Sequence, residues 1–156
     1  LKYTAKLKLL VKAREDEFSR IFEDECKYPG QSPLIRVLFQ DLFNEKDSVI
    51  IQRDPSVEHI LPQEPKRWGL TEEDVKLYVN RVGNLTLLSE AENLRADNHI
   101  MSKKVKDVFS KSAFKVNRSL KKWQVLFETD FKLAIEKRGN QIAKNLYNLY
   151  SSKLEL

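Results

Sequence analysis

Cysteine is almost absent from this chain. Cys26 stands alone among 156 residues, which excludes an internal disulfide and a cysteine-based zinc site. Long apolar runs are missing as well, so no segment reads as a bilayer span and no membrane association is expected. No signal-peptide pattern is visible at the start of the given sequence, and a chain with one thiol is expected in a reducing cytoplasm. The first residue is Leu1 rather than Met, which points to a piece of a longer protein. No internal repeat or low-complexity tract is visible. What is present, 41% hydrophobic and 33% charged residues, is the composition of a folded globular chain long enough to bury a core.

The formal net charge is +5 and the isoelectric point about 9.2. This excess is compatible with a polyanionic partner without establishing one. Its distribution is more informative. Residues 15–25 carry six acids against Arg20 alone, and residues 103–122 carry eight bases against Asp107 alone. The basic run reads equally as a solvated helix face or as a phosphate-contacting surface.

Apolar residues recur at helical spacing over 3–25, from Tyr3 to Phe22, and again from Leu34 to Phe43. Pro29, Gly30 and Pro33 separate the two helices. Val49 to Ile51 suggests a short extended piece. Val57 to Leu61, bracketed by Pro55 and Pro62, suits a strand. Thr71 is an expected N-cap with acids in the first turn, and its helix is expected to end near Gly83. Asn84 to Leu88 reads as a second strand. Ser89 and Glu92 form a capping box at the next helix start. A long amphipathic helix from Leu120 to Leu149 is expected to close the chain.

Three polar signals stand out in the centre. Glu58-His59 lies inside a hydrophobic strand (VEHILPQ). Asn84, 25 residues on, opens the second strand (GNLTLL). Asn93, nine further, falls in the first turn of the helix capped by Ser89. A two-stranded ribbon packed on a helix would bring all three together. Each has a plainer reading taken singly: a core histidine paired with Glu58, turn chemistry at Gly83-Asn84, and a surface helix residue. Trp68 and Trp123 read as packing residues rather than base-stacking ones.

The pattern (Asp/Glu)-His-Ile-x-Pro, then Asn-Leu-x-x-Leu, then an early-helix asparagine, resembles the motif of HNH (ββα-metal) nucleases. The chain is most similar in kind to the C-terminal nuclease domain of GmrSD-like type IV restriction enzymes and related phage-defence proteins. The likeness rests on Glu58 to Gln63, Trp68, Gly83 to Leu88, Asn93, Asn98, Lys103, Trp123, Ile135 and Arg138. It covers roughly residues 34–147.

The resemblance implies a DNA endonuclease that hydrolyses or nicks phosphodiester bonds, with His59, Asn84 and Asn93 as its catalytic residues. His59, with an ordinary pKa near ~6.5, would take the proton of the attacking water. Asn84 would shape the ribbon and orient the histidine. Glu58 and Asn93 would ligate a divalent cation beside the leaving oxygen, and hard oxygen ligands suit Mg²⁺ or Mn²⁺ better than zinc. Because neighbouring strand residues point to opposite faces, Glu58 and His59 need a twist to share one site. Asp97 is better placed than His99 as a further ligand. Lys103, Lys104 and Arg138 are expected on DNA phosphates, with a structural ion pair as the alternative for Arg138.

The expected fold is mostly α within the α+β class, a small ββα-metal core in a helical shell. It forms one domain with a helical part at 1–48, the core at 49–104 and C-terminal helices at 105–156. Foreign or modified double-stranded DNA is the expected partner. The likeness also implies a separate N-terminal nucleotide-hydrolysing domain, and a homo-oligomer stays open. Two other readings stand beside the nuclease: a DNA-binding module with an inactive site, and a helical interaction domain.

Overall fold

The computed structural model describes residues 15–43 and 55–153. The extended piece expected at Val49 to Ile51 and the first half of the first expected helix lie outside them. Helix α1 (Glu15–Glu25) and helix α2 (Ser32–Leu42) pack through Phe18, Phe22, Leu34, Ile35, Leu38 and Phe39, all buried. Pro33 sits in the first turn of α2, where its missing N–H costs nothing.

Strand β1 (Ser56–His59) pairs antiparallel with β2 (Leu85–Leu88), with Ser56 opposite Leu88 and His59 opposite Leu85. Two such short strands are not stable alone. Here β2 is buried along its whole length, because helices cover both sides of it. Two apolar clusters do the covering. Val57, Leu85 and Leu87 join the cluster of α1 and α2, whereas Ile60, Leu61 and Leu88 join a second one with Met101, Phe109, Phe127 and Ile135.

Helix α3 (Glu72–Val75) starts at the expected Thr71 cap but is four residues long and does not reach Gly83. Its continuation is given up because the backbone is engaged elsewhere: the Val79 carbonyl accepts from Asn84 Nδ2, and the Asn80 carbonyl from the Tyr28 N–H. A tight 3₁₀ turn, Val82–Asn84, then leads into β2. Helix α4 (Glu90–Ala96) begins with the expected Ser89–Glu92 capping box. The basic region folds as α5 (Met101–Asp107) and α6 (Lys115–Arg118).

The single closing helix expected from Leu120 is instead α7 (Gln124–Thr129) and α8 (Phe131–Lys153), preceded by a 3₁₀ stretch at Ser119–Trp123. The break falls at Asp130, which leaves helical geometry and accepts the Leu133 N–H on its side chain at 3.0 Å, an N-cap that starts a new helix. Helix α8 spans both clusters, giving Ala134 and Ile135 to one and Ile142 and Leu146 to the other. Among the described residues, no helix is long and apolar enough to cross a membrane.

Candidate active site

The site starts from the end of β1. Beyond His59 the chain is held by Asn84, whose side chain is fully buried. Asn84 Oδ1 accepts the Leu61 N–H, and Nδ2 donates to the carbonyls of Leu61 and Val79, each at 2.8 Å. The Asn84 carbonyl also accepts the Ile60 N–H. One asparagine therefore pins the segment after His59 to the segment before β2. Its side chain makes no hydrogen bond to the His59 ring and does not line the pocket described below.

Helix α8 backs this clamp. Arg138 is 2% exposed, and its Nη1 donates to the carbonyls of Gly83 and Leu85 at 2.7 and 2.8 Å. Its guanidinium also lies over the Phe39 ring at 5.9 Å. Arg138 is thus not placed to meet DNA, nor is it an ion pair: backbone carbonyls hold it inside. Gly83 explains how the helix comes so close, since a Cβ there would lie 1.9 Å from the Ile135 carbonyl oxygen. On the adjacent stretch Asn117 is buried too, bonded to the Thr86 hydroxyl, the Leu87 carbonyl and the Ser112 hydroxyl.

At the end of the ribbon an open pocket of about 410 Å³ is lined by Glu58, His59, Asn93, Asp97, Asn98 and Lys104, together with Pro62, Gln63, Glu64 and Leu94. The structure brings Glu58, His59 and Asn93 together. Glu58 and His59 share the pocket although they are strand neighbours; His59 is the last paired residue, where the ribbon ends. Asp97 lines the pocket as well, with its carboxylate 2.7 Å from Arg67 Nη1. His99 does not line it and lies 3.2 Å from the same Arg67 nitrogen.

The His59 ring is fixed by two residues that sequence reasoning missed. Its Nε2 is 3.0 Å from Asn80 Oδ1, and the Tyr28 ring meets it edge-on at 4.6 Å between centroids. Neither is in the motif, and only the fold places them there. Burial pushes the imidazole below its ordinary 6.5, with the Asn80 bond and the Glu58 charge opposing and the Lys104 charge adding to the shift. The ring is therefore neutral and able to accept a proton at neutral pH.

The two lysines expected on phosphates differ. Lys103 is exposed on α5. Lys104 is 2% exposed, and its Nζ donates to the Ile60 carbonyl at 2.8 Å and reaches the His59 carbonyl at 3.4 Å. Burial pushes its pKa down to about 8, against the pull of the Asp97 and Glu58 charges. Lys104 thus ties α5 to the end of β1 and puts a cation at the pocket. Trp68 and Trp123 pack against the second apolar cluster, and Trp68 Nε1 donates to the His99 carbonyl at 3.0 Å.

Among the described residues there is no group of three His, Cys, Asp or Glu side chains that could hold a metal ion. The oxygen donors lining the open, polar pocket are the carboxylates of Glu58, Glu64 and Asp97 and the carboxamides of Gln63, Asn93 and Asn98. That set fits a hard cation which keeps several waters, and does not fit a closed structural metal cage.

A short ribbon ending in a buffered histidine, braced by one long helix and open to a polar pocket on the other side, defines a mostly helical α+β domain with an enzyme-like site. The sequence matches the family described as GmrSD restriction endonucleases, C-terminal domain, over residues 12–145, and the chain belongs to that family. Membership places it in a class related to restriction nucleases. No curated protein and no solved structure matches the chain.

Proposed function

We propose that this domain is an HNH-type, metal-dependent DNA endonuclease in which His59 is the general base. The observation that carries the reading is the convergence of Glu58, His59 and Asn93 on one open pocket, with the histidine neutral and its ring held from behind. Family membership supports the substrate class, since the family takes its description from restriction endonucleases. Foreign or modified duplex DNA is the substrate, and the defence role follows from it.

His59 removes a proton from water aimed at phosphorus, a role that requires an unprotonated ring near neutral pH. Glu58 and Asn93 would hold Mg²⁺ or Mn²⁺. When bound, that cation would supply charge stabilisation to the leaving group. Lys104 adds a fixed positive charge at the pocket, where developing negative charge on the phosphoryl group is stabilised. Asn84 acts at one remove, by fixing the backbone that follows His59. Lys103, with other exposed bases of the 103–122 run, contacts the DNA backbone.

The test is cleavage of supercoiled plasmid with Mg²⁺, Mn²⁺ or EDTA by the wild type and by His59→Ala. Metal-dependent nicking that vanishes in the variant is the expected result. Equal nicking by both proteins would remove His59 from the mechanism. Salt-sensitive DNA binding without cleavage under any metal would leave a binding module in place of an enzyme.

A further inference from the structure

We propose that Asn80 is a positioning residue for His59: it holds the ring proton on Nε2 and leaves Nδ1 as the nitrogen that takes the proton from water. The inference deepens the nuclease reading and rests on it for its catalytic half. The bond from His59 Nε2 to Asn80 Oδ1 is 3.0 Å long. A carboxamide oxygen only accepts, so a neutral ring bonded to it carries its proton on that nitrogen. The other nitrogen, Nδ1, is then the base.

An orienting acceptor is useful only if it is itself fixed, and residues 79–81 are fixed at each position although they form neither helix nor strand. The Val79 carbonyl accepts from Asn84 Nδ2 at 2.8 Å. The Asn80 carbonyl accepts the Tyr28 N–H at 3.1 Å, and Lys27 pairs with Arg81 in an antiparallel bridge. The Arg81 guanidinium lies 3.6 Å from Glu23 on α1 and 3.6 Å from Glu136 on α8. Tyr28, tied to Asn80 by that backbone bond, also packs its ring edge-on to His59. The loop after α1 thus supplies one wall of the histidine slot and anchors the other. The helices outside the ribbon do more than cover it: they set the orientation of the base. Supporting hydrogen-bond partners of reactive side chains commonly act in this way.

The experiment reads the ring directly. The chain has two histidines, so a His99→Gln background leaves His59 as the sole imidazole for ¹⁵N-resolved proton NMR. At a pH where the ring is neutral, an exchange-protected proton on Nε2 is expected. It is expected to be lost in the isosteric Asn80→Leu and kept in Asn80→Asp, whose carboxylate also accepts. In plasmid nicking, Asn80→Leu is expected to lower kcat by about 10–100-fold, with KM changed by less than about twofold and with recovery in Asn80→Asp. Asn80→Ala serves as the second variant if Asn80→Leu fails to fold. A wild-type proton on Nδ1, a protected Nε2 proton that survives the loss of Asn80, or an unchanged kcat overturns the proposal. If the wild type cleaves nothing, the NMR result alone decides the ring geometry, and only the nuclease reading falls.

Discussion

The two sides of the ribbon use the same kinds of residue for opposite ends. Away from the pocket, polar side chains are buried and hold backbone: Asn84 makes three side-chain hydrogen bonds, Asn117 three, and Arg138 two through Nη1, while its buried Nη2 has no partner among the described residues. On the pocket side Asn93 is exposed, and its side chain has no partner among the described residues. Two asparagines from one motif thus sit in opposite settings. A buried amide must be satisfied by the protein, and once satisfied it holds backbone. An exposed, unengaged amide beside a carboxylate and a neutral histidine keeps its lone pairs for a ligand. In this domain, hydrogen bonding to the protein separates a structural amide from one left free for the proposed chemistry better than residue type does.

The steepest loss should fall on the pocket side alone. His59→Ala should lower plasmid cleavage by about 10²–10⁴-fold, the usual contribution of a positioned general base. Its thermal unfolding should stay close to wild type, because the ring is only partly buried. A matching loss of fold would mean that the histidine belongs to the architecture instead.

Next comes the braced side. In Gly83→Ala the new methyl meets helix backbone, the Ile135 carbonyl oxygen, rather than a side chain that can turn away. A destabilisation of roughly 3–5 kcal/mol is expected, at or above the upper end for overpacking. Urea denaturation measures it, and a change within about 1 kcal/mol would show that α8 does not press on this turn.

Much of this was legible in the sequence, and the exceptions have physical reasons. The pocket residues Glu58, His59 and Asn93 are adjacent to strong local signals, a strand between prolines and a Ser89–Glu92 capping box, so their meeting could be foreseen. The Thr71 cap was legible too, but the length of α3 was not. Its backbone is claimed by Asn84 and Tyr28, which are distant in sequence or act through side chains. The same tertiary bonds place Asn80 on His59, 21 residues away, and periodicity carries no trace of such a pairing. Arg138 was misplaced because a charged residue next to an apolar helix face looks like a surface group. Its burial depends on two carbonyls freed where the 3₁₀ turn meets β2. Asp130 interrupts a continuous apolar stripe with a cap that needs no change of pattern.

The two motif asparagines should respond differently to the same substitution. Asn84→Ala leaves the buried Leu61 N–H and two carbonyls without their partners. Each unsatisfied buried group costs about 1–3 kcal/mol, so a total near ~2–4 kcal/mol is expected after partial relaxation. Asn93→Ala should change stability by less than about 0.5 kcal/mol, as for an ordinary surface site. Its cleavage should fall by at least the roughly 10–100-fold that losing a supporting ligand costs. Denaturation and nicking assays on both variants decide it. Equal stability losses would erase the distinction between the two sides.

The mildest change should come from surface charge. Lys103 is exposed and Arg138 is not, so only the first can exchange counterions with DNA. Each phosphate contact contributes about 0.9 to the slope of log K against log salt on duplex DNA. Lys103→Ala should therefore weaken duplex binding modestly and flatten that slope by nearly one contact. Arg138→Met should leave the slope alone while lowering stability, since it removes the donors to the Gly83 and Leu85 carbonyls. Fluorescence anisotropy with a labelled duplex across a salt series gives both slopes. If Arg138→Met flattened the slope as much as Lys103→Ala, burial would not be what divides the two sides, because a residue of the brace would then be reaching the phosphates.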